Sequence, residues 1–215
     1  MTKKCSCSVL IMGFLLFFCY SSKTLAESER DGCVAMQPHG DYLLNWVADY
    51  ETAPRAYIDP SMDLNNTSGG SFSLLSHLKY DAAERDQGSC RNGWAWAGTG
   101  VIEIALDVQE GISDRLSIQF MSSCNTAKSC CEFGTLDDLT KFYTSQGIAI
   151  PWSNTNANWQ DGDGVCNLPC SSIDISPNYA IDSIVAETIE TDGVEQSQAI
   201  AKIKIKAKRS FQLLC

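Results

Sequence analysis

Apolar positions recur at three- and four-residue spacing in two segments of the chain, which predicts two α-helices. We expect the buried face of the first helix, which spans 94–108, to consist of Trp94, Ala97, Val101, Ile104, Ala105 and Val108. Gly98 and Gly100 each lower helix propensity by about 1 kcal/mol, so their presence predicts close packing against a neighbour. Gly111 predicts the end of the helix.

A threonine followed three residues later by an acidic residue predicts the start of the second helix. Thr135 and Asp138 fit a capping box in which Asp replaces Glu, and Gly147 predicts the end of this helix. Between the two helices, Ser117 is placed to cap a short helix within 116–124.

The last third of the chain has a less regular pattern. Residues 151–180 are rich in Asn, Gly, Asp, Ser and Pro, which predicts loops. Residues 195–204 again show helical spacing. From residue 203 onward apolar residues alternate with lysines, which predicts a strand or a loose basic end.

The first 26 residues have the three-part layout of a secretory signal peptide. Lys3 and Lys4 precede an almost unbroken apolar run over 9–20, and Ala26 is a small residue at the expected cleavage site. The run is shorter than the roughly 20 residues of a membrane-spanning helix, although an uncleaved anchor stays open as an alternative. We therefore expect a secreted or extracytoplasmic chain, either periplasmic or extracellular.

The sequence divides into four parts. After the signal peptide at 1–26, residues 27–70 are interpreted as a leader or linker, because they mix acids and prolines and end in a turn-rich stretch. We expect the folded domain over 71–204 and an aberrant tail over 205–215. Whether 27–70 acts as an inhibitory prosegment is left open.

An acidic composition narrows the class of partner. The net charge is −10, and cleavage of the signal peptide removes three lysines and takes it to −13. Phosphate contacts need clustered Lys and Arg, and the only such cluster lies at 202–209. We expect no nucleic-acid partner, and a membrane contact only through an uncleaved signal segment.

Cysteine usage predicts disulfides. The mature chain would hold eight of the eleven cysteines, an even number that is typical of exported disulfide-bonded proteins. No Cys-x-x-Cys pair is present, and neither His39 nor His77 lies near a cysteine pair. We therefore expect no zinc or other metal, and no cofactor.

Residues 86–97, Asp-Gln-Gly-Ser-Cys-Arg-Asn-Gly-Trp-Ala-Trp-Ala, resemble the active-site motif of papain-like cysteine peptidases, Gln-Gly-x-Cys-Gly-x-Cys-Trp-Ala-Phe. The resemblance implies that Gln87 is the oxyanion-hole glutamine, that Cys90 is a structural disulfide cysteine, and that Trp94 flanks the nucleophile. The position that should hold the nucleophilic cysteine is Gly93.

The chemistry of this family needs a thiolate at the first turn of a helix, where the helix dipole and a histidinium lower the thiol pKa. Glycine supplies no nucleophile, and losing one typically removes about six orders of magnitude in rate. Cys90 is a poor substitute, because it precedes the helix at a position that the family uses for a disulfide. We expect a chain that cleaves nothing as written.

Further elements follow in the family order. The segment 116–124 resembles Leu-Ser-x-Gln-x-Leu-x-x-Cys, and Cys-Glu-Phe-Gly at 131–134 stands where the family has Cys-Asn-Gly-Gly. Tyr143 to Ile150 and then Pro151-Trp152 resemble the elements that come next. The resemblance implies that the Gly134 backbone faces the second residue of a peptide substrate, with Phe133 narrowing the cleft.

The family register also implies disulfide pairings. Cys90 would pair with Cys131, and Cys124 with Cys166, whereas pairing of Cys130 with Cys170 is a guess. The partners of Cys33 and Cys215 are not assigned.

The implied fold is α+β and papain-like, with the helical N-terminal lobe present and the β-rich second lobe largely missing. The catalytic His and Asn of the family come roughly 130–150 residues after the cysteine, and that distance from Gly93 runs past Cys215. A frameshift or premature stop near residue 204 is our hypothesis for this end.

Three interpretations of function stay open beside an unrelated disulfide-rich domain. The first is an inactive homologue of a secreted cysteine peptidase, whose family acts on peptides or proteins through a Cys-His-Asn mechanism. The second is a pseudoenzyme that binds peptides or a protein partner. The third is an active peptidase whose sequence here is faulty at position 93 and at its end.

Overall fold

A computed structural model describes residues 40–58, 73–80, 85–182 and 184–212. The chain divides into two compact units, one made of Met1–Gly70 and Glu187–Leu213 and the other of Ser71–Ala186 and Leu214–Cys215. The expected signal peptide lies outside the described residues, as do His39, Cys33 and Cys215.

The described residues form helices and one small sheet. The helices are α1 (Asp41–Thr52), α2 (Gly93–Glu110), α3 (Ile118–Cys124), α4 (Leu136–Gln146) and α5 (Gln196–Gln212). Strands β1 (Ile148–Ala149) and β2 (Tyr179–Ala180) pair antiparallel, with Ile148 opposite Ala180. The described part is therefore helix-rich with a two-stranded sheet, in agreement with an α+β class dominated by a helical lobe. None of its helices combines the length and the apolar content that crossing a membrane requires.

The helix signals read from the sequence are confirmed in the larger unit. Gly111 ends α2 in the left-handed conformation with φ 67°, a backbone angle that residues other than glycine rarely adopt. Thr135 and Asp138 form the capping box of α4, and the Ser117 hydroxyl accepts a hydrogen bond from the Phe120 N–H at the start of α3. These caps satisfy N–H groups that a helix leaves unpaired at its first turn.

The predicted buried face of α2 is wrong. Of its six apolar positions only Ile104 is buried, and the other five are half-buried. Six further buried side chains of α2 lie outside this predicted set: Ala95, Trp96, Thr99, Ile102, Glu103 and Leu106. The reason is that α2 packs against α3, α4 and the turn at Leu75–His77, so it is covered on several sides and lacks the single stripe of a surface helix.

The two glycines within α2 do mark close packing, as predicted. A Cβ atom on Gly98 would overlap the side chain of Leu139 in α4, and one on Gly100 would overlap the guanidinium of Arg85. At these two positions the helix therefore lies so close to its neighbours that a residue with a Cβ atom would not fit without a shift.

Glu103 is a buried carboxylate near the middle of α2. Its Oε1 accepts the Leu116 N–H at 2.8 Å, and its Oε2 accepts the hydroxyl of Tyr80. Burial raises the pKa of Glu103 above its usual range, although both hydrogen bonds act in the opposite direction. Burial also raises the pKa of the Tyr80 hydroxyl. One side chain thus joins α2 to the segments on either side of it.

The strand predicted from residue 203 onward is wrong, because α5 continues to Gln212. Residues 203–208 alternate apolar and lysine positions over only six residues, and lysine, alanine and isoleucine are all compatible with a helix. The loops predicted over 151–180 are confirmed apart from short 3-10 turns, a bridge at Pro151 and strand β2.

The smaller unit contains α1 and α5. After α1, Arg55 forms an isolated parallel β-bridge with Thr188, and the Ala56 N–H donates to the Thr188 carbonyl at 2.9 Å. Arg55 adds an ion pair to Glu190 at 3.1 Å. Helix α1 lies within the segment 27–70, which we interpreted from sequence as a leader or linker without naming a helix.

Candidate active site

The N-terminus of α2 is the position where the family resemblance puts the nucleophile. Asn92 is the residue before the helix, and its backbone carbonyl accepts the N–H groups of Ala95 and Trp96. The Asn92 side chain does not cap the helix; it is buried and donates through Nδ2 to the Ser122 hydroxyl at 3.2 Å. The first turn of α2 is therefore free of a capping side chain, and a group at Gly93 would lie at the positive end of the helix dipole.

Gln87 lies directly against Gly93. Its Oε1 is 2.7 Å from the point where a Cβ atom on Gly93 would be, so the glutamine side chain reaches into the space that a longer residue would need. A cysteine at position 93 would have its thiol next to the amide of Gln87. In the chain as it stands, this place holds no group that could attack a carbonyl carbon.

Trp94 covers Gly134. The indole Nε1 donates to the Glu132 carbonyl at 3.0 Å, and a Cβ atom on Gly134 would lie 2.5 Å from Cε2 of the ring. Gly134 is buried at this contact. The tryptophan after the missing nucleophile thus orders the loop over 131–134, and contact of Gly134 with a peptide stays a prediction.

Three disulfides join the loops around the helix. Cys90 is bonded to Cys131, the pair that the resemblance implied. The implied pair Cys124–Cys166 is wrong, and so is the guess for Cys130. The bonds are Cys124–Cys170 and Cys130–Cys166.

The exchange of partners has a simple geometric cause. Helix α3 packs against the 3-10 turn Cys170–Ser172, which brings the last residue of α3, Cys124, to the first residue of that turn. Cys166 comes earlier in the same loop, where it meets Cys130. The alignment implied by the resemblance did not distinguish Cys166 from Cys170, which are four positions apart, as the partner of Cys124.

A second loop supports the segment that carries Gln87. Gly88 has φ 63°, and the next residue, Ser89, donates its N–H to the Gly162 carbonyl at 2.7 Å. A Cβ atom on Gly88 would overlap that carbonyl, so the two loops approach as closely as glycine allows. The position after Gln87 is therefore fixed by its backbone contacts.

Gln119 and Asp161 hold this second loop and were not singled out as site residues from the sequence. The Gln119 Nε2 donates to the Asp161 carboxylate at 2.7 Å, and its Oε1 accepts the Gln160 N–H at 2.8 Å. Burial raises the pKa of Asp161 above its usual range. The sequence signal that could have pointed to these contacts is the glutamine of the Leu-Ser-x-Gln element. A buried amide side chain needs hydrogen-bond partners for both its nitrogen and its oxygen.

His77 is the histidine that lies in the described part of the chain. Its Nδ1 is 2.6 Å from the Asp107 carboxylate on α2. Asp107 comes fourteen residues after Gly93, which at 1.5 Å per residue places it about 21 Å away along the helix. His77 is therefore engaged far from the position of the missing nucleophile and cannot serve it as a base.

The helix N-terminus beside Gln87 and the Cys90–Cys131 bond agree with the layout that the resemblance to thiol peptidases implied, although position 93 carries no thiol. The family model described as papain family cysteine protease matches residues 79–213. This match covers more than half of the chain, and the chain belongs to the papain family. No curated protein matches the chain.

Proposed function

We propose that this chain is an exported papain-family homologue that does not hydrolyse peptide bonds. The observation that carries the proposal is Gly93 at the first turn of α2, with the Gln87 side chain directly against it. The family acts on peptides and proteins through a cysteine at this position. Without it the oxyanion-stabilising groups have no tetrahedral intermediate to stabilise.

Export is supported by the pattern of the first 26 residues and by the three disulfides among the described residues. Disulfides form and persist in oxidising compartments. Secretion of a tagged full-length chain into the periplasm or medium, with loss of the first 26 residues, is the expected result. Retention of a full-length product in the cytosol would count against export.

The test of inactivity compares the wild-type chain with Gly93→Cys. We expect no hydrolysis of a mixed fluorogenic peptide set by the wild type, since loss of a nucleophile removes about six orders of magnitude in rate. In Gly93→Cys, a small alkylating reagent should label the introduced thiol, because the new side chain displaces only the flexible end of Gln87. Wild-type hydrolysis that disappears in Gln87→Ala would overturn the proposal.

A second candidate function is peptide binding without cleavage. It is favoured by the ordered wall formed by Trp94, Glu132 and Gly134, which the Cys90–Cys131 bond fastens to the front of α2. An immobilised peptide library would show saturable binding that Gly134→Ala weakens. Absence of saturable binding at millimolar peptide would remove this candidate and leave the first proposal intact.

A further inference from the structure

Two of the disulfides meet at adjacent residues. Cys130 is bonded to Cys166 and Cys131 to Cys90. The Sγ atoms of Cys130 and Cys131 are 3.4 Å apart, although no covalent bond joins them. The Sγ atoms of Cys90, Cys130 and Cys131 all lie within 4.8 Å of one another. The sulfurs of two separate bonds are therefore in contact.

The two bonds differ in their access to solvent. Cys166 is exposed in the loop that follows the 3-10 turn Asp161–Asp163, whereas Cys90 is fully buried. A reductant in solution therefore reaches the Cys130–Cys166 bond before the Cys90–Cys131 bond, since access controls the rate of thiol–disulfide exchange. The third bond, Cys124–Cys170, also has an exposed cysteine and lies outside this cluster.

We propose that these four cysteines form a redox-active centre that accepts an electron pair from a small dithiol and passes it inward from Cys130 to Cys90, through attack of Cys130 on Cys131. In the first step a thiolate of the dithiol attacks the Cys130–Cys166 bond. Its second thiol then closes a disulfide within the reductant. The dithiol loses two electrons and two protons, and Cys130 and Cys166 become thiols.

The second step needs no further reductant. Cys130 loses its proton to solvent, and its thiolate attacks the Sγ of Cys131 across the 3.4 Å gap. A Cys130–Cys131 bond forms, the Cys131–Cys90 bond breaks, and Cys90 leaves as a thiolate that takes up a proton. One electron pair added at the surface is thereby moved to a buried sulfur.

This transfer has a consequence for the candidate active site. Cys90 lies three residues after Gln87 and three before Gly93, and its bond to Cys131 ties this segment to the loop that Trp94 covers. Reduction of Cys90 removes this covalent link between the two segments and leaves a thiol close to Gln87 in the sequence. The redox state at the surface would thus be transmitted to the front of α2.

The test is partial reduction of the wild-type full-length chain with one equivalent of dithiothreitol, followed by rapid alkylation and disulfide mapping by mass spectrometry. The expected product is alkylated at Cys90 and Cys166 and holds a Cys130–Cys131 bond, whether or not the exposed Cys124–Cys170 bond is also reduced. Formation should speed up about tenfold per pH unit below the ordinary thiol pKa of about 8.5, because the thiolate is the attacking form. Cys33 and Cys215 are mapped in the same digest.

Three results would overturn the proposal. The first is a product alkylated only at Cys130 and Cys166, with Cys90–Cys131 still bonded. The second is a Cys90–Cys130 bond with Cys131 alkylated, which would show that Cys130 attacks the Sγ of Cys90 and not that of Cys131. The third is loss of both the Cys130–Cys166 and the Cys90–Cys131 bonds with no Cys130–Cys131 bond formed.

A matched pair of variants asks the same question without a reductant. Cys166→Ser leaves Cys130 as a thiol, and we expect the label on Cys90 together with a Cys130–Cys131 bond, as in the reduced wild type. Cys170→Ser leaves Cys124 as a thiol outside the cluster, and its label should stay on Cys124. Alkylation of Cys130 alone in a folded Cys166→Ser chain would contradict the transfer. If that variant does not fold, the wild-type mapping decides.

Discussion

The front of α2 and its middle have opposite characters. At the middle, Glu103 has hydrogen bonds to the Tyr80 hydroxyl and the Leu116 N–H, and Gly98 is in tight contact with Leu139. At the front, no side chain caps the first turn, and Gly93 meets only the flexible end of Gln87. Within the same helix, position 98 is packed tightly against its neighbour and position 93 is not.

This difference separates the requirements of folding from those of catalysis. Burial of α2 against its neighbours stabilises the unit whether or not position 93 carries a thiol. A nucleophile at a helix N-terminus contributes reactivity through its lowered pKa, which is a requirement separate from burial of the helix. Substitutions at the packed positions in the middle of α2 should therefore cost stability, and a small substitution at position 93 should cost little.

The largest effect is expected from Glu103→Ala. It removes the acceptor for the Tyr80 hydroxyl and the Leu116 N–H and opens a cavity in the core. Leaving a buried donor unsatisfied costs about 1–3 kcal/mol, and this substitution leaves two such donors in addition to the cavity. Urea unfolding followed by tryptophan fluorescence would measure the loss. A loss below about 1 kcal/mol would mean that the middle of α2 is not the packed region we describe.

Glu103→Gln sharpens this result through its pH dependence. Burial raises the folded-state pKa of Glu103 above its ordinary value of 4.5, so the unfolded chain releases this proton more readily than the folded one. The wild type should therefore lose stability as pH rises from about 4.5 through the folded-state pKa, whereas the amide of the variant has no proton to lose. The free energy of unfolding of the variant minus that of the wild type should grow over this window. A difference that is independent of pH would contradict the raised pKa.

The next effect is expected from Gly98→Ala. The new methyl group would overlap the buried Leu139 side chain, and overpacking of this kind typically costs about 1–3 kcal/mol. Better helix propensity offsets only part of that cost. Thermal unfolding would measure the change, and a stabilised variant would show that Leu139 moves aside freely.

The sequence alone predicted local features, such as helix caps and helix ends, better than it predicted which face of a packed helix is buried. Caps at Ser117 and Thr135 and the end at Gly111 depend on residues next to one another, so the pattern was sufficient. The buried face of α2 depends on how many neighbours cover it, and apolar spacing does not reveal that number. The partner of Cys124 depends on the path of a loop, which the spacing of cysteines leaves undetermined.

For the candidate site, the resemblance implied that Gln87 acts beside position 93, whereas the contact of Trp94 with the 131–134 loop was not predicted. The contacts of Gln119 with Asp161 were not predicted, because the two residues are 42 positions apart and neither has a distinctive spacing. Motifs thus indicate chemistry near a helix end, while the loops that hold it require tertiary contacts.

A smaller effect is expected from Gly134→Ala, which acts at the front of α2. Its Cβ atom would lie 2.5 Å from the Trp94 ring, but that ring is half-buried and can turn outward. We expect a loss of about 1 kcal/mol, near the low end of overpacking costs, together with a change in tryptophan emission as the bond to the Glu132 carbonyl breaks. Unchanged emission would mean that the indole does not cover Gly134. Trp94→Phe serves as the control, because it removes the indole donor and should abolish that change in emission.

The smallest effect is expected from Gly93→Ala, the matched counterpart of Gly98→Ala in the same helix. The new methyl group meets only Oε1 of Gln87, which is the far end of a flexible side chain and can move away. Alanine also has a higher helix propensity than glycine by up to about 1 kcal/mol. The free energy of unfolding should therefore stay within about 1 kcal/mol of the wild-type value, with a gain more readily obtained than a loss. A loss as large as that of Gly98→Ala would mean that Gln87 is held firmly against Gly93, so that the front of α2 is packed like its middle and a thiol could not be restored there without cost.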